Sequence, residues 1–136
     1  MTSRRETLKL ALLSVLAACD SAMARLRGER LVPIARLDQV PRGSAYRTTR
    51  GNDPLILVNV AGTIMTFLAV CTHEGCPLGW NPQQHLIRCP CHGSAFDTAG
   101  NVVNGPAQTP LTSLRTIVKG GEVLLVERPQ PSPAAG

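Results

Sequence analysis

Beyond the first two dozen residues, apolar positions come in short runs rich in β-branched side chains, and no stretch repeats at helical spacing. Residues 31–37 read as one strand. Residues 54–60 and 63–70 flank an Ala61-Gly62 turn and predict a hairpin that delivers Cys71 at its end. A short strand at 85–88 leads into Cys89. Residues 114–118 and 123–127 lie on either side of Gly120-Gly121, a dipeptide suited to the positive φ angles of a tight hairpin turn. The pattern predicts an all-β domain over residues 31–128, with two of its strands running directly into cysteines.

The N-terminal stretch has a different character. Residues 8–18 form an eleven-residue apolar run broken only by Lys9 and Ser14, well short of the ~20 residues that span a bilayer. Before it, Ser3-Arg4-Arg5-Glu6-Thr7-Leu8-Lys9 resembles a twin-arginine export signal, with Thr7 where a large apolar residue is usual. Residues 1–24 are therefore expected to be a signal peptide or a retained anchor. Leu16-Ala17-Ala18-Cys19 resembles a lipobox, which would make Cys19 a lipidation site, whereas Ala22-Met23-Ala24 has the small-x-small form of ordinary signal cleavage. The expected destination is the periplasm or the periplasmic face of the cytoplasmic membrane, with membrane attachment through the lipid or the retained signal. A polar linker follows at 25–30. At the other end, residues 129–136 hold three prolines among small side chains, which predicts a disordered tail.

With 136 residues and 43% hydrophobic content, the chain can bury one modest core. Four aromatic residues, Tyr46, Phe67, Trp80 and Phe96, leave that core mainly to Leu, Val and Ile. Of the net charge of +5, Arg4, Arg5 and Lys9 against Glu6 supply +2 and leave +3 for the rest of the chain. No basic run interleaves with aromatics, so no nucleic-acid partner is expected.

The chemistry is concentrated in two segments, Cys71-Thr72-His73-Glu74-Gly75-Cys76 and, after a gap of twelve residues, Cys89-Pro90-Cys91-His92-Gly93-Ser94. Each offers one thiolate and one imidazole at short spacing and holds a second cysteine in reserve. A tetrahedral zinc site also suits close-spaced Cys and His donors. Zinc, however, gives no reason for two extra cysteines, nor for Gly75, Gly93 and Ser94. The pattern fits better with two loops wrapped around a two-iron cluster.

The full pattern C-T-H-x-G-C then C-P-C-H-G-S resembles the high-potential Rieske proteins of cytochrome bc-type complexes. The resemblance implies an all-β fold of stacked antiparallel sheets with the cluster-binding loops at one tip, and one [2Fe–2S] cluster as cofactor. It implies that Cys71 and Cys89 ligate one iron, that His73 and His92 ligate the other, and that Cys76 and Cys91 form a disulfide joining the loops. Ser94 stands where the family places a hydroxyl that donates to a bridging sulfide. Phe96 stands where high-potential members carry a tyrosine, a departure expected to lower the potential. Gly105-Pro106-Ala107 resembles a proline-containing loop that shields the cluster. Glu74 replaces a leucine that in the family helps form a quinol-facing surface.

Two imidazoles in place of two thiolates favour the ferrous state and raise the reduction potential. Reduction adds one negative charge near imidazoles whose outward N–H groups can carry a proton, so electron and proton transfer are expected to be coupled. The implied function is one-electron transfer, not catalysis by this chain alone. The chain would be a subunit of a quinol–cytochrome c reductase-type complex, or a freestanding carrier, with a b- or c-type cytochrome as partner. The alternatives are the small Rieske subunit of a different periplasmic oxidase, resembling that of arsenite oxidase and partnered by its large subunit, and the ferredoxin of a dioxygenase.

Overall fold

The computed structural model describes residues 18, 19, 22, 23 and 25–129. The predicted signal at 1–24 and the predicted tail at 129–136 otherwise lie outside the described residues. Val32–Leu125 forms one compact unit, and the described residues up to Leu31 and from Val126 cluster separately. No described helix is long and apolar enough to cross a membrane.

Eleven strands make up three antiparallel sheets among the described residues. The first sheet holds β1 (Arg30–Arg36), β11 (Glu122–Glu127) and β10 (Thr116–Lys119) in that order. The second holds β2 (Ala45–Arg50), β3 (Asp53–Val60), β4 (Thr63–Leu68) and β9 (Ser113–Leu114). The third is built of short strands: β5 (Gly79–Asn81), β6 (Leu86–Arg88), β7 (Ala95–Phe96) and β8 (Val102–Asn104).

β3 explains how the layers stack. Successive side chains on a strand point to opposite faces, and its run Pro-Leu-Ile-Leu-Val is apolar on both. Leu55 and Leu57 join Ile34, Ala35, Val40, Val123 and Leu125 in one buried cluster, with Tyr46, Ile64, Leu68 and Leu114 packed against it. Ile56 and Val58 join Phe67, Leu78, Ile87 and Phe96 in the other, together with Cys71 and Cys89. The second sheet is thus the middle layer, covered by the first sheet on one face and by the loop-bearing third sheet on the other. Leu, Ile and Val dominate the first cluster as the composition implies, whereas the one that backs the cysteines is mixed and holds the fully buried Phe67 and Phe96.

Both predicted hairpin turns form. Val60 pairs with Thr63 across Ala61-Gly62, whose φ angles are +52° and +100°, and Lys119 pairs with Glu122 across Gly120-Gly121, at +59° and +77°. Two consecutive positive φ values are the requirement of a two-residue turn whose twist matches its strands. The buried Asn59 amide fixes the first turn, donating to the Val40 carbonyl while its oxygen accepts from Gly62 N–H.

Besides adding the short β5, β7 and β8, the structure departs from the predicted strands at three places. β2 has no counterpart among the predicted strands, because Ala-Tyr-Arg-Thr-Thr-Arg belongs to an edge strand whose Arg47 and Thr49 face solvent. The predicted strand at 114–118 divides at Arg115: Leu114 pairs with Thr66 in the middle sheet, and Thr116 pairs with Leu125 in the first. His85 sits outside β6 with φ +52°, in the turn after Asn81, whose Oδ1 accepts the N–H groups of Gln83 and Gln84.

Gly100 marks the tightest approach of backbone to core. At φ +84° a Cβ there would lie 2.6 Å from Phe67 Cε1. Gly100→Ala combines backbone strain with overpacking and is expected to cost roughly 2–4 kcal/mol. Denaturation followed by circular dichroism measures this, and an unchanged midpoint would show that the Phe67 ring yields freely.

Candidate metal centre

Two strands of different sheets deliver the two motif loops. After β4, an isolated bridge between Val70 and Pro77 closes the base of loop 71–76. Loop 89–94 joins β6 to β7, where Arg88 pairs with Ala95. The loops have the same internal construction. Cys71 N–H donates to the Cys76 carbonyl at 2.8 Å, and Cys89 N–H donates to the Ser94 carbonyl at 2.8 Å. Gly75 N–H returns to the Cys71 carbonyl at 2.9 Å, and Gly93 N–H returns to the Cys89 carbonyl at 3.2 Å. The fifth position must turn back on the first, and glycine supplies the φ angles of +73° and +81° found there.

This shared geometry sorts the side chains. Cys71 and Cys89, the first residue of each loop, point inward and are buried at 3% and 2% exposure. His73 and His92 are exposed, and their rings meet edge to face with centroids 5.1 Å apart. Cys76 and Cys91 are joined in a disulfide, as the resemblance implied. A disulfide offers no thiolate, so the free thiols of the two loops are Cys71 and Cys89. Two buried sulfur donors behind two exposed nitrogen donors, shared between two loops, form the donor set that a mixed Cys/His two-iron cluster needs. The residues present fit that group.

A third segment fastens both loops. Thr72 Oγ1 donates to the Thr109 carbonyl at 2.8 Å, and Asn104 Nδ2 donates to the Gly93 carbonyl at 3.2 Å. Between them Ala107 N–H donates to the fully buried Ser94 Oγ at 3.0 Å. That bond uses a lone pair and leaves the Ser94 hydroxyl proton available to donate elsewhere. The segment contains Gly105-Pro106-Ala107, placed beside the loops as expected, with a cis peptide bond before Pro106. Sequence reasoning placed Thr72 in the motif without a role and did not find Asn104, because the bond of an ordinary polar residue to a distant backbone carbonyl carries no local signal.

The remaining candidates divide. Phe96 is fully buried opposite Ile87 and Val102, a core ring at the position where the resemblance places a tyrosine in high-potential members. Glu74 lies at the exposed end, its Oε2 3.6 Å from His92 Nδ1, and the donor atoms of His73, Glu74 and His92 lie within 4.8 Å of one another. Cys19 is an exposed free thiol.

The disulfide is the covalent link between loops. Replacing Cys76 and Cys91 together by serine is expected to cost roughly 2–5 kcal/mol and to speed loss of visible absorbance in denaturant. Equal unfolding midpoints for variant and parent would show that the hydrogen bonds of the third segment hold the loops unaided.

Comparison with known proteins agrees with this geometry. The family model for the Rieske [2Fe-2S] domain matches residues 30–116. The chain is 31% identical over 86 residues to the cytochrome b6-f complex iron-sulfur subunit of Chlorobaculum tepidum, covering 63% of this chain and 48% of that protein. It is 35% identical over 114 residues to cytochrome b6-f complex iron-sulfur subunit 2 of Nostoc sp., covering 84% and 58%. The chain thus spans about half the length of these relatives. Among solved structures it resembles the plasma membrane Rieske protein of Synechocystis PCC 6803, with TM-score 0.63 and 28% identity over 69% of this chain and 97% of that one. The match over most of the described domain, together with the two loops and their donor set, places the chain in the Rieske [2Fe–2S] family, with one [2Fe–2S] cluster as its cofactor.

Proposed function

We propose that Cys71 and Cys89 ligate one iron, that His73 and His92 ligate the other, and that the chain transfers single electrons at the outer face of a membrane. The observation that carries this reading is the separation of donors, with thiols buried at 3% and 2% and imidazoles exposed. When bound, the cluster supplies a one-electron couple whose potential is raised by the two nitrogen ligands.

The chain's own residues then have distinct tasks. Cys71 and Cys89 keep the sulfur side away from water. His73 and His92 present the other side to a partner, and the ring nitrogen of each that is turned away from iron can hold a proton at the surface. Ser94 directs its remaining hydroxyl proton inward, while residues 104–109 close over the loops. The relatives named as cytochrome b6-f iron-sulfur subunits support a place in a quinol-oxidising complex with b- and c-type cytochromes. Residues 1–24 would export the chain and attach it to the periplasmic face of the membrane, by lipidation of Cys19 or as a retained anchor.

One observation favours a second reading, the small subunit of a different periplasmic oxidase. Glu74, with its side chain 59% exposed, puts a carboxylate beside both imidazoles. A polar tip suits a protein surface better than an apolar quinol pocket.

Purified protein is expected to hold about two irons per chain and to give the spin resonance signal of a mixed Cys/His cluster when reduced. Zinc in its place, or a signal of all-cysteine ligation, would falsify the ligand assignment. The polypeptides that co-purify from native membranes separate the two readings, a b-type cytochrome supporting the first and an oxidase large subunit the second. Ser94→Ala should lower the reduction potential, because a hydroxyl donated to the cluster favours its more negative reduced form. A preference of roughly 1–2 kcal/mol corresponds to about 40–90 mV for one electron. Protein-film voltammetry with an unmoved potential would remove Ser94 from the site.

A further inference from the structure

We infer that a groove beside loop 89–94 docks an acidic surface of a second electron-transfer protein, on a face separate from the histidine tip. This rests on the electron-carrier reading above. The groove, of about 510 Å³, reaches Cys89, Pro90 and Gly93, and Leu78 and Trp80 are among its apolar lining. Arg47 from the edge strand β2 and Arg88 from β6 line it, and no Asp or Glu does. Arg88 is held in place, since its Nη1 donates to Gln84 Oε1 at 2.7 Å and Asn81 Nδ2 donates to the same oxygen at 3.3 Å. A guanidinium fixed in this way meets a carboxylate with little further loss of side-chain freedom.

The tip has the opposite sign. Among residues 71–76, 89–94 and 104–110, Glu74 is the single formally charged side chain when the histidines are neutral. The chain therefore offers its cluster loops at two places, a tip with one carboxylate and a groove with two guanidinium groups that leads to Cys89. A carrier passing electrons between two partners can tell them apart by charge. The groove suits the acidic one.

The test follows oxidation of the reduced, cluster-loaded chain by hexacyanoferrate(III), a small anion that takes one electron and becomes hexacyanoferrate(II), with no bond made or broken. Arg47→Glu with Arg88→Glu is compared with Arg36→Glu with Lys119→Glu, which changes net charge equally on the first sheet. At low ionic strength the groove pair should slow oxidation at least about fivefold more than the control pair, and the difference should vanish near 1 M salt. Poly-L-glutamate should inhibit oxidation of the parent but not of the groove variant. Equal slowing in both pairs, or no effect of poly-L-glutamate on the parent, overturns the docking site. If Arg88→Glu disturbs cluster loading, Arg47→Glu against Lys119→Glu decides the matter alone, because Arg47 lies on β2 and outside both loops. A loaded chain that hexacyanoferrate(III) cannot oxidise would instead overturn the electron-carrier reading.

Discussion

Four donor atoms of two kinds must be held on two loops so that sulfur faces inward and nitrogen faces out. Neither loop can do this alone, since each contributes one donor of each kind. What makes the arrangement possible is the repeated closure of each loop on its first residue: N–H of the first residue to the carbonyl of the sixth, and N–H of the fifth back to the carbonyl of the first. These bonds satisfy backbone groups that would otherwise be lost beside a buried thiol. They also fix which way the first side chain points. Because the closures match, the first cysteines of the two loops are buried together, and His73 and His92 emerge together at the surface.

The sheets serve this constraint. Cys71 and Cys89 are buried in one apolar cluster with Phe67, Phe96, Ile87 and Leu78. Aromatic rings are few here, and both phenylalanines are used at this place. A large rigid side chain excludes water from more area than an aliphatic one and loses little rotamer freedom when buried. The opposite face of the middle sheet, filled by Leu, Ile and Val, has no such task. The disulfide and the fastening by Thr72, Asn104 and Ala107 add constraint where short strands of two or three residues cannot provide it.

The parts of this arrangement legible in the sequence share a physical basis. The hairpin at β3 and β4 and the one at β10 and β11 announce themselves by apolar runs around a turn dipeptide that contains glycine. The donor set is legible because thiol, imidazole and glycine recur at fixed local spacing, and the geometry they need is local too. By contrast, β5, β7 and β8 are too short for any period to show, and they exist because they pair with β6 and with each other. β2 is an edge strand with one half-exposed face, so its polar residues break the alternation. The division at Arg115 could not be seen at all, since a chain passing from one sheet to another needs no change of residue type. Thr72 and Asn104 belong to the same class, being ordinary residues made important by partners 37 and 11 positions away.

Burial of the thiols has a consequence for how partners meet the chain. An electron can leave readily only where protein is thin, and a buried sulfur side would leave a single exit at the imidazoles. The groove changes this, because it brings solvent-accessible space up to Cys89 and Gly93 without exposing the thiol itself. Its walls come from two different sheets, Arg47 from the middle one and Arg88 from the third. The placement of the two strands that carry them is therefore set by the same apolar cluster that buries the cysteines. Core packing, thiol burial and the spacing of surface charge then depend on one another. A substitution that loosens the Phe67 and Phe96 layer would disturb all three together, even though neither ring touches solvent.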